Sequence, residues 1–184
     1  MSKTIIGLIG EMGAGKDTFC DYLKGNYQNV YFLKFSDALT DILKMFFDDV
    51  KREDQQWLSS SLRERFGQDI LVKALVKKIE KISDGIIILN GVRRPDDFKA
   101  LKSIGGKLVC VTADQKLRWE RVKIRGEKAD DDVPYEKFVE MGKAEAESMI
   151  TVIGAEADIK IENNDDKEEF YHKIKEQLDL LINN

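Results

Sequence analysis

The sequence contains few cysteine, proline and histidine residues, and each shortage excludes a class of protein. Its 184 residues include two cysteines, two prolines and one histidine. Cys20 and Cys110 match neither a zinc-ligand spacing nor a disulfide framework, which fits a reducing compartment. His172 lies in a charged pattern near the end of the chain, and we interpret it as a surface residue. A small secreted fold held by disulfides is therefore excluded.

Long apolar runs and an excess of one charge are also missing. The longest apolar runs span about five residues, far below the roughly twenty of a membrane helix, and residues 5–9 are too short for a signal peptide. With 34 acidic and 30 basic residues the net charge is −4, so no basic field favours nucleic acid or an anionic membrane. We expect a cytoplasmic protein without nucleic-acid or membrane partners. Its oligomeric state is unknown at this point.

The chain length and the absence of linkers predict one domain over residues 1–184. A chain of this length can bury a sizeable core without a metal or disulfides. No internal repeat, low-complexity tract or proline-rich segment interrupts the sequence.

A phosphate-binding loop is the clearest motif, at residues 10–18 with the sequence GEMGAGKDT. An apolar run precedes it and a helical pattern follows it, which is the strand, loop and helix order that such a loop requires. Glycines let the backbone N–H groups turn toward phosphate oxygens, and the lysine reaches the β- and γ-phosphates. The pattern has Ser or Thr after the lysine, where this chain has an aspartate and then a threonine. We assign nucleotide binding to Gly10, Gly13, Ala14, Gly15, Lys16, Asp17 and Thr18.

Apolar runs alternate with helical patterns along the rest of the chain. We predict strands at residues 5–9, 30–35, 85–89, 107–113 and 157–162. Residues 37–82 are predicted as three helices, with breaks near residues 51–52 and at Gly67, and residues 134 to about 149 as one helix. This alternation predicts an α/β fold with a parallel sheet and right-handed crossovers. Ligands bind at the carboxyl ends of such strands, so the segments that follow the strands should converge on one crevice.

Three arginines at helical spacing follow the fourth predicted strand. Arg118, Arg121 and Arg125 fall on one helix face and lead into the acidic residues 127–132. They are either a solvated basic stripe paired with acids such as Glu120 or the cations of a flap that closes over a triphosphate. Phosphoryl transfer requires such cations, because catalysis there is mostly positioning and charge stabilisation.

Several segments together resemble the P-loop nucleoside monophosphate kinases. These are GEMGAGKDT with LRERFGQDI, IIILNGVRRPDDF, VTADQKLRWERVKIRGEKADDD and EADIKIENNDDKEEF. The chain is most similar to the archaeal adenylate-kinase-like and dephospho-coenzyme A kinase-like proteins. Its GKDT loop, with FSDAL after the second strand, also resembles the phage-type deoxynucleoside monophosphate kinases. The resemblance covers nearly the whole chain, although only the phosphate loop is highly specific.

The resemblance implies a three-layer P-loop fold with sheet order 2-3-1-4-5 and helices on both faces. It also implies an acceptor-binding helical insertion at about residues 37–82 and a short lid at about residues 118–134. ATP and Mg²⁺ would be the cofactors, and a small nucleotide would be the phosphate acceptor. Residue by residue, it implies the following roles: Lys16, Arg93, Arg118, Arg121, Arg125 and Asp37 in catalysis, Asn163 at the adenine, Asp37, Arg63 and Arg93 at the acceptor, and Asp17, Thr18 and Asn90 at the metal.

Two positions depart from that family pattern, and three functions stay open. Asp17 replaces the hydroxyl ligand after the lysine, and Asn90 stands where an aspartate usually follows the third strand. The first function is an ATP- and Mg²⁺-dependent kinase of a nucleoside or deoxynucleoside monophosphate. The second is a dephospho-coenzyme A kinase, whose hydroxyl acceptor would need a base such as Asp37. The third is a nucleotide-binding regulator or slow ATPase.

Overall fold

Five parallel strands form one sheet in the computed structural model, which describes residues 3–125, 133–143 and 145–182. The strand order is β2-β3-β1-β4-β5, so the predicted sheet order 2-3-1-4-5 is confirmed. The strands are β1 (Lys3–Ile9), β2 (Val30–Leu33), β3 (Gly85–Asn90), β4 (Lys107–Thr112) and β5 (Ile159–Glu162).

The helices alternate with the strands and cover the sheet. The described helices are α1 (Lys16–Asn26), α2 (Asp37–Lys44), α3 (Arg52–Phe66), α4 (Ile70–Glu80), α5 (Pro95–Ser103), α6 (Gln115–Arg125), α7 (Tyr135–Met141), α8 (Glu145–Ala155) and α9 (Lys167–Ile182). The predicted breaks between α2, α3 and α4 are confirmed. The prediction of one helix over 134–149 is wrong, because α7 ends at Met141 and is capped by Gly142, whose N–H bonds back to Phe138 O. In the part of the chain that the structure describes, no helix is long and apolar enough to cross a membrane.

The sheet is buried on both faces, and β3 illustrates how. Ile86 and Ile88 pack in the cluster that contains α1 and α9, whereas Ile87 and Leu89 pack in the cluster that contains α4, α5 and α8. Alternate side chains of a strand point to opposite faces, so an unbroken apolar run suits a central strand covered on both sides. The resulting three layers place the carboxyl ends of all five strands at one edge of the sheet.

The two cysteines are separate free thiols. Cys20 is buried in α1 and Cys110 is half-buried in β4. Burial, followed by the nearby Asp17 carboxylate, raises the pKa of Cys20 to about 11. Burial also raises the pKa of Cys110. Because the thiolate is the reactive form, both side chains are poor nucleophiles at neutral pH.

Candidate functional site

A large open cavity lies at the carboxyl edge of the sheet, with a volume of about 1490 Å³. It is lined by the phosphate loop, one face of α3, the segment after β3, α6 and the segment after β5. Most of the residues assigned to the site from the sequence line it: Gly10, Gly13, Gly15, Lys16, Asp17, Thr18, Arg63, Asn90, Arg93, Arg118, Arg121, Arg125 and Asn163. Ala14 is fully buried behind the loop surface.

The loop backbone takes a path that glycine alone adopts easily. Gly13 has φ +79° and Gly15 has φ +108°. A Cβ atom on Gly13 would lie 2.4 Å from the carbonyl oxygen of Arg118, and one on Gly15 would lie 2.3 Å from Nδ2 of Asn163. Gly15 directly precedes α1, so the positive end of that helix dipole faces the cavity. The loop is therefore a cradle that fits phosphate oxygens.

The lysine of the loop is anchored to the loop itself. Nζ of Lys16 donates to Gly10 O at 2.6 Å and to Glu11 O at 2.9 Å. These bonds hold the ammonium group against the loop. A phosphate oxygen bound there can replace one of the two carbonyl oxygens as its hydrogen-bond acceptor.

Arg118 connects α6 to the phosphate loop through contacts that the sequence did not reveal. Its side chain is about 10% exposed, and Nη2 lies 3.1 Å from Oε1 of Glu11. Nε donates to Ala113 O at 3.0 Å and Nη1 to Met12 O at 3.4 Å. These contacts hold the Arg118 side chain against the phosphate loop.

Asn163 also holds the phosphate loop, through a bond to Ala14. It is 6% exposed, and its Nδ2 donates to Ala14 O at 2.9 Å. Its backbone N–H bonds Thr112 O at 2.8 Å, and its carbonyl accepts from Nη1 of Arg121 at 2.8 Å. The amide that was predicted to contact adenine is therefore bonded to the loop backbone.

The segment after β3 carries two cavity-lining arginines above a buried carboxylate. Asp97 is 7% exposed, and its Oδ2 accepts the backbone N–H groups of Arg93 at 3.3 Å and Arg94 at 3.2 Å. Burial raises the pKa of Asp97, although these two N–H groups and the Arg94 guanidinium act in the opposite direction. Asp97 thus sets the backbone from which both arginines project. Only Arg93 of this group was assigned to the site from the sequence.

Arg63 also lines the cavity, and its charge acts to lower the pKa of Asp97, as that of Arg94 does. Its Nε donates to Oγ of Ser59 at 3.3 Å, and its Nη1 donates to Gln68 O at 2.9 Å. These bonds leave the guanidinium of α3 in the cavity lining together with Arg93 and Arg94. Three guanidinium groups in one cavity lining suit a ligand that carries a phosphate.

Asp37 is not brought together with the other predicted residues. Its Oδ2 accepts the backbone N–H of Lys34 at 2.8 Å, which closes the turn between β2 and α2. It is absent from the cavity lining. This position does not support Asp37 as an acceptor contact or a base, because its carboxylate is used locally.

A polar face of α3 is part of the site and was missed from the sequence. Its cavity-lining residues follow the helical spacing three, one, three, one, three: Arg52, Gln55, Gln56, Ser59, Ser60 and Arg63. The signal was available, because this spacing places all six on one helix face.

The remaining predictions concern the metal and the lid. Among the described residues no group of three or more His, Cys, Asp or Glu side chains could hold a metal ion. Asp17, Thr18 and Asn90 line the cavity around Lys16, and Asp17 is exposed. The acidic stretch at 127–132 lies outside the described residues, so of the predicted lid at about 118–134 the structure describes residues 118–125, 133 and 134.

Comparisons with known proteins support a P-loop fold. A family model described as an AAA domain matches residues 6–149 of this chain. A UPF0200 protein of Thermococcus kodakarensis is 28% identical over 140 residues, which cover 73% of this chain and 75% of the relative. A UPF0200 protein of Saccharolobus islandicus is 23% identical over 185 residues, which cover 98% and 95%.

Two solved structures illustrate the fold similarity. Shikimate kinase from Bacteroides thetaiotaomicron has a TM-score of 0.62 at 15% identity, with 97% of this chain and 98% of that chain covered. Shikimate kinase from Acinetobacter baumannii in complex with shikimate has a TM-score of 0.55 at 17% identity, with 98% and 93% covered. At these identities the likeness establishes the fold: a P-loop kinase-like arrangement of sheet and helices.

Proposed function

This chain belongs to the AAA domain family, and we propose that it transfers the γ-phosphoryl group of ATP to a nucleoside or deoxynucleoside monophosphate. The observation that carries the proposal is one cavity lined both by a phosphate cradle and by the side chains of Arg63, Arg93 and Arg94. Its volume of about 1490 Å³ exceeds the roughly 300–1,000 Å³ of a typical ligand pocket. A donor and an acceptor can therefore occupy it together.

The donor end supplies binding and charge stabilisation. The backbone N–H groups of the loop and the α1 dipole bind the β- and γ-phosphates. The ammonium of Lys16 neutralises charge on the transferred phosphoryl group, and Arg121 and Arg125 extend that positive lining along α6. Arg118 and Asn163 act indirectly, because they hold the loop backbone in place.

The donor set also fits Mg²⁺ bound to the nucleotide phosphates. The Thr18 hydroxyl, the Asp17 carboxylate and the Asn90 amide are oxygen ligands of the kind that Mg²⁺ prefers, alone or through water. Held by these residues, Mg²⁺ would neutralise the charge that develops on the transferred phosphoryl group. We assign the negatively charged metal ligand to Asp17, because Asn90 stands where the nucleoside monophosphate kinases that the sequence resembles have an aspartate.

The acceptor end favours a phosphate over a bare hydroxyl. Arg63, Arg93 and Arg94 line it, whereas the carboxylate of Asp37 lies outside the lining and accepts a backbone N–H group. A phosphate acceptor needs guanidinium groups to screen repulsion between two anions, and it needs no base. This contrast argues against dephospho-coenzyme A as the acceptor.

The test is an ADP-release assay with ATP and Mg²⁺ against ribo- and deoxyribonucleoside monophosphates. Dephospho-coenzyme A and shikimate serve as hydroxyl acceptors, and an assay without acceptor measures hydrolysis. We expect turnover with at least one monophosphate. Hydrolysis without transfer to any acceptor would instead identify a regulator or slow ATPase.

Two variants assign the two ends of the cavity. Lys16→Ala should lower transfer at least about 100-fold, by analogy with the loss of a preorganised electrostatic donor. Arg93→Ala should raise the KM of the acceptor far more than that of ATP. Near-normal turnover of the first variant, or an unchanged acceptor KM in the second, would remove that residue from its role.

A further inference from the structure

The end of α2 carries apolar side chains that the described part of the chain leaves uncovered. Met45 is 78% exposed, Phe46 is 74% exposed and Phe47 is 54% exposed. Ile42, in the last turn of α2, is exposed as well. These four residues are called the α2 patch below. A single exposed apolar residue is ordinary, whereas a contiguous apolar patch marks an interaction surface.

The local backbone joins the four side chains into one surface. The N–H of Met45 bonds Ile42 O at 3.1 Å, so the chain continues the turn of α2 past its last residue. Phe46 does the same, with its N–H 3.0 Å from Leu43 O. Ile42, Met45 and Phe46 thus follow the spacing i, i+3 and i+4, which places them side by side. The rings of Phe46 and Phe47 are 6.5 Å apart, within the range of an aromatic pair.

The α2 patch is large enough for a weak interface between two copies of this chain. An aromatic side chain carries about 150–250 Å² of surface, so the exposed parts of the four residues amount to roughly 500 Å². Two such patches in contact would bury roughly 1,000 Å², which is the lower limit of a specific interface. Phe and Met are among the residues enriched in the core of interfaces. We therefore expect a dissociable dimer rather than an obligate one.

The charges that flank the patch complement each other when it meets a second copy of itself. Lys44 precedes Met45 and Asp48 follows Phe47, so a cation borders one side and an acid the other. Both are exposed, and neither side chain forms a hydrogen bond or ion pair within the described part of the chain. A two-fold axis across Phe46 makes the two segments antiparallel, which brings Lys44 of each copy to Asp48 of the other. Parallel segments would bring like charges together instead.

We propose that this chain forms a two-fold symmetric homodimer through the α2 patch, with Phe46 at the centre and Lys44 paired with Asp48 of the second copy. Such an interface uses the same surface on both copies, so association stops at two. The acids at 48 and 49, next to the rings, disfavour an anionic membrane as the occupant. Residues 42–49 do not line the cavity, so this inference is independent of the proposed function.

The test is sedimentation of the full chain at protein concentrations that span the micromolar range. The wild type should show a monomer–dimer equilibrium. Phe46→Asp places two carboxylates at the axis and should raise the Kd of the dimer at least about 100-fold. The exposed position of Phe46 means that the circular dichroism spectrum and the Kd of ATP should stay unchanged.

Phe66→Asp is the matched control for that variant. Phe66 is also exposed, at the far end of α3, about 20 Å along the helix from Arg52. Its substitution should leave the dimer Kd unchanged. A wild type that stays monomeric at every concentration would overturn the inference, as would a dimer that Phe46→Asp does not weaken.

A charge exchange tests the antiparallel pairing. Lys44→Glu and Asp48→Lys each place like charges opposite each other twice, so each should raise the dimer Kd about 5- to 30-fold. A mixture of the two variants restores both opposite-charge pairs, and its Kd should return toward the wild-type value. A mixture that associates no better than either variant alone would overturn the pairing. Binding to phosphatidylcholine vesicles by a protein that stays monomeric would identify a membrane surface and overturn the dimer.

Discussion

The bond from Asn163 to the phosphate loop allows a sharp test of how the cradle is held. Asn163→Asp changes a single NH₂ group to oxygen and preserves shape. Nδ2 donates to Ala14 O at 2.9 Å inside the protein, so the variant places two acceptors face to face. Leaving a buried carbonyl without its donor costs about 1–3 kcal/mol, and the introduced negative charge adds to that cost.

We expect that cost to appear both in folding and in ATP binding. The free energy of unfolding should fall by about 1–3 kcal/mol, as measured by urea titration. If the loop shifts to relieve the repulsion, the Kd of ATP measured by calorimetry should rise about 5- to 150-fold, the same energy expressed as affinity. The defect should shrink as the pH falls, because a protonated carboxyl group can donate to Ala14 again.

A matched exchange at the other end of α1 controls for stability. Nδ2 of Asn26 donates to Tyr22 O at 2.8 Å, so Asn26→Asp removes a similar bond far from the cavity. It should lower the free energy of unfolding by less, because Asn26 is exposed and water can replace the bond. Its Kd for ATP should stay unchanged. Wild-type ATP affinity in Asn163→Asp would refute the reasoning, as would an equal loss of affinity in both variants.

Three further outcomes follow from the loop and its surroundings. Gly13→Ala should weaken ATP binding at least about tenfold, because its Cβ would lie 2.4 Å from Arg118 O. The control is Gly105→Ala, where φ is +73° and no atom lies near the added Cβ. It introduces backbone strain without a clash and should leave the Kd of ATP unchanged. Because burial raises the pKa of Asp97, the folded protein binds a proton more tightly than the unfolded chain, and its free energy of unfolding should fall as the pH rises. Urea unfolding at about pH 4 and about pH 7 should show this fall in the wild type relative to Asp97→Asn. A rise instead would contradict burial as the main cause of the shift. Because the pKa of Cys20 is about 11, alkylation at neutral pH should require unfolding, and rapid labelling of the native protein would contradict its burial.

The parallel sheet could be predicted because its signal is local. Apolar runs such as Gly85–Asn90 suit strands covered on both faces, and the glycine-rich turn after β1 falls where a first crossover should begin. The strand order came from the resemblance, since no periodicity states which strands are neighbours. The break between α7 and α8 was missed because Gly142 alone marks it in an otherwise helical pattern.

The site was predictable where its residues follow strand ends and unpredictable where its contacts join distant segments. Arg93 and Asn90 could be placed because every parallel strand delivers its carboxyl end to the same edge. The bond from Arg118 to Met12 spans 106 residues, and that from Asn163 to Ala14 spans 149. Such contacts depend on how α6 and β5 pack against the phosphate loop. The sequence therefore indicated arginines and an amide near the nucleotide, but not that Arg118 and Asn163 bond the loop backbone.

Because of these contacts, the phosphate loop and α3 differ in how firmly each is held. The donor cradle is held by the buried side chains of Arg118 and Asn163. By contrast, α3 has no buried residue and is joined to α2 by the bond between Gln55 and Thr40. Fewer buried contacts mean a lower cost of local displacement. Under the proposed function, the nucleotide triphosphate meets a preformed surface, whereas the acceptor meets a helix that can adjust.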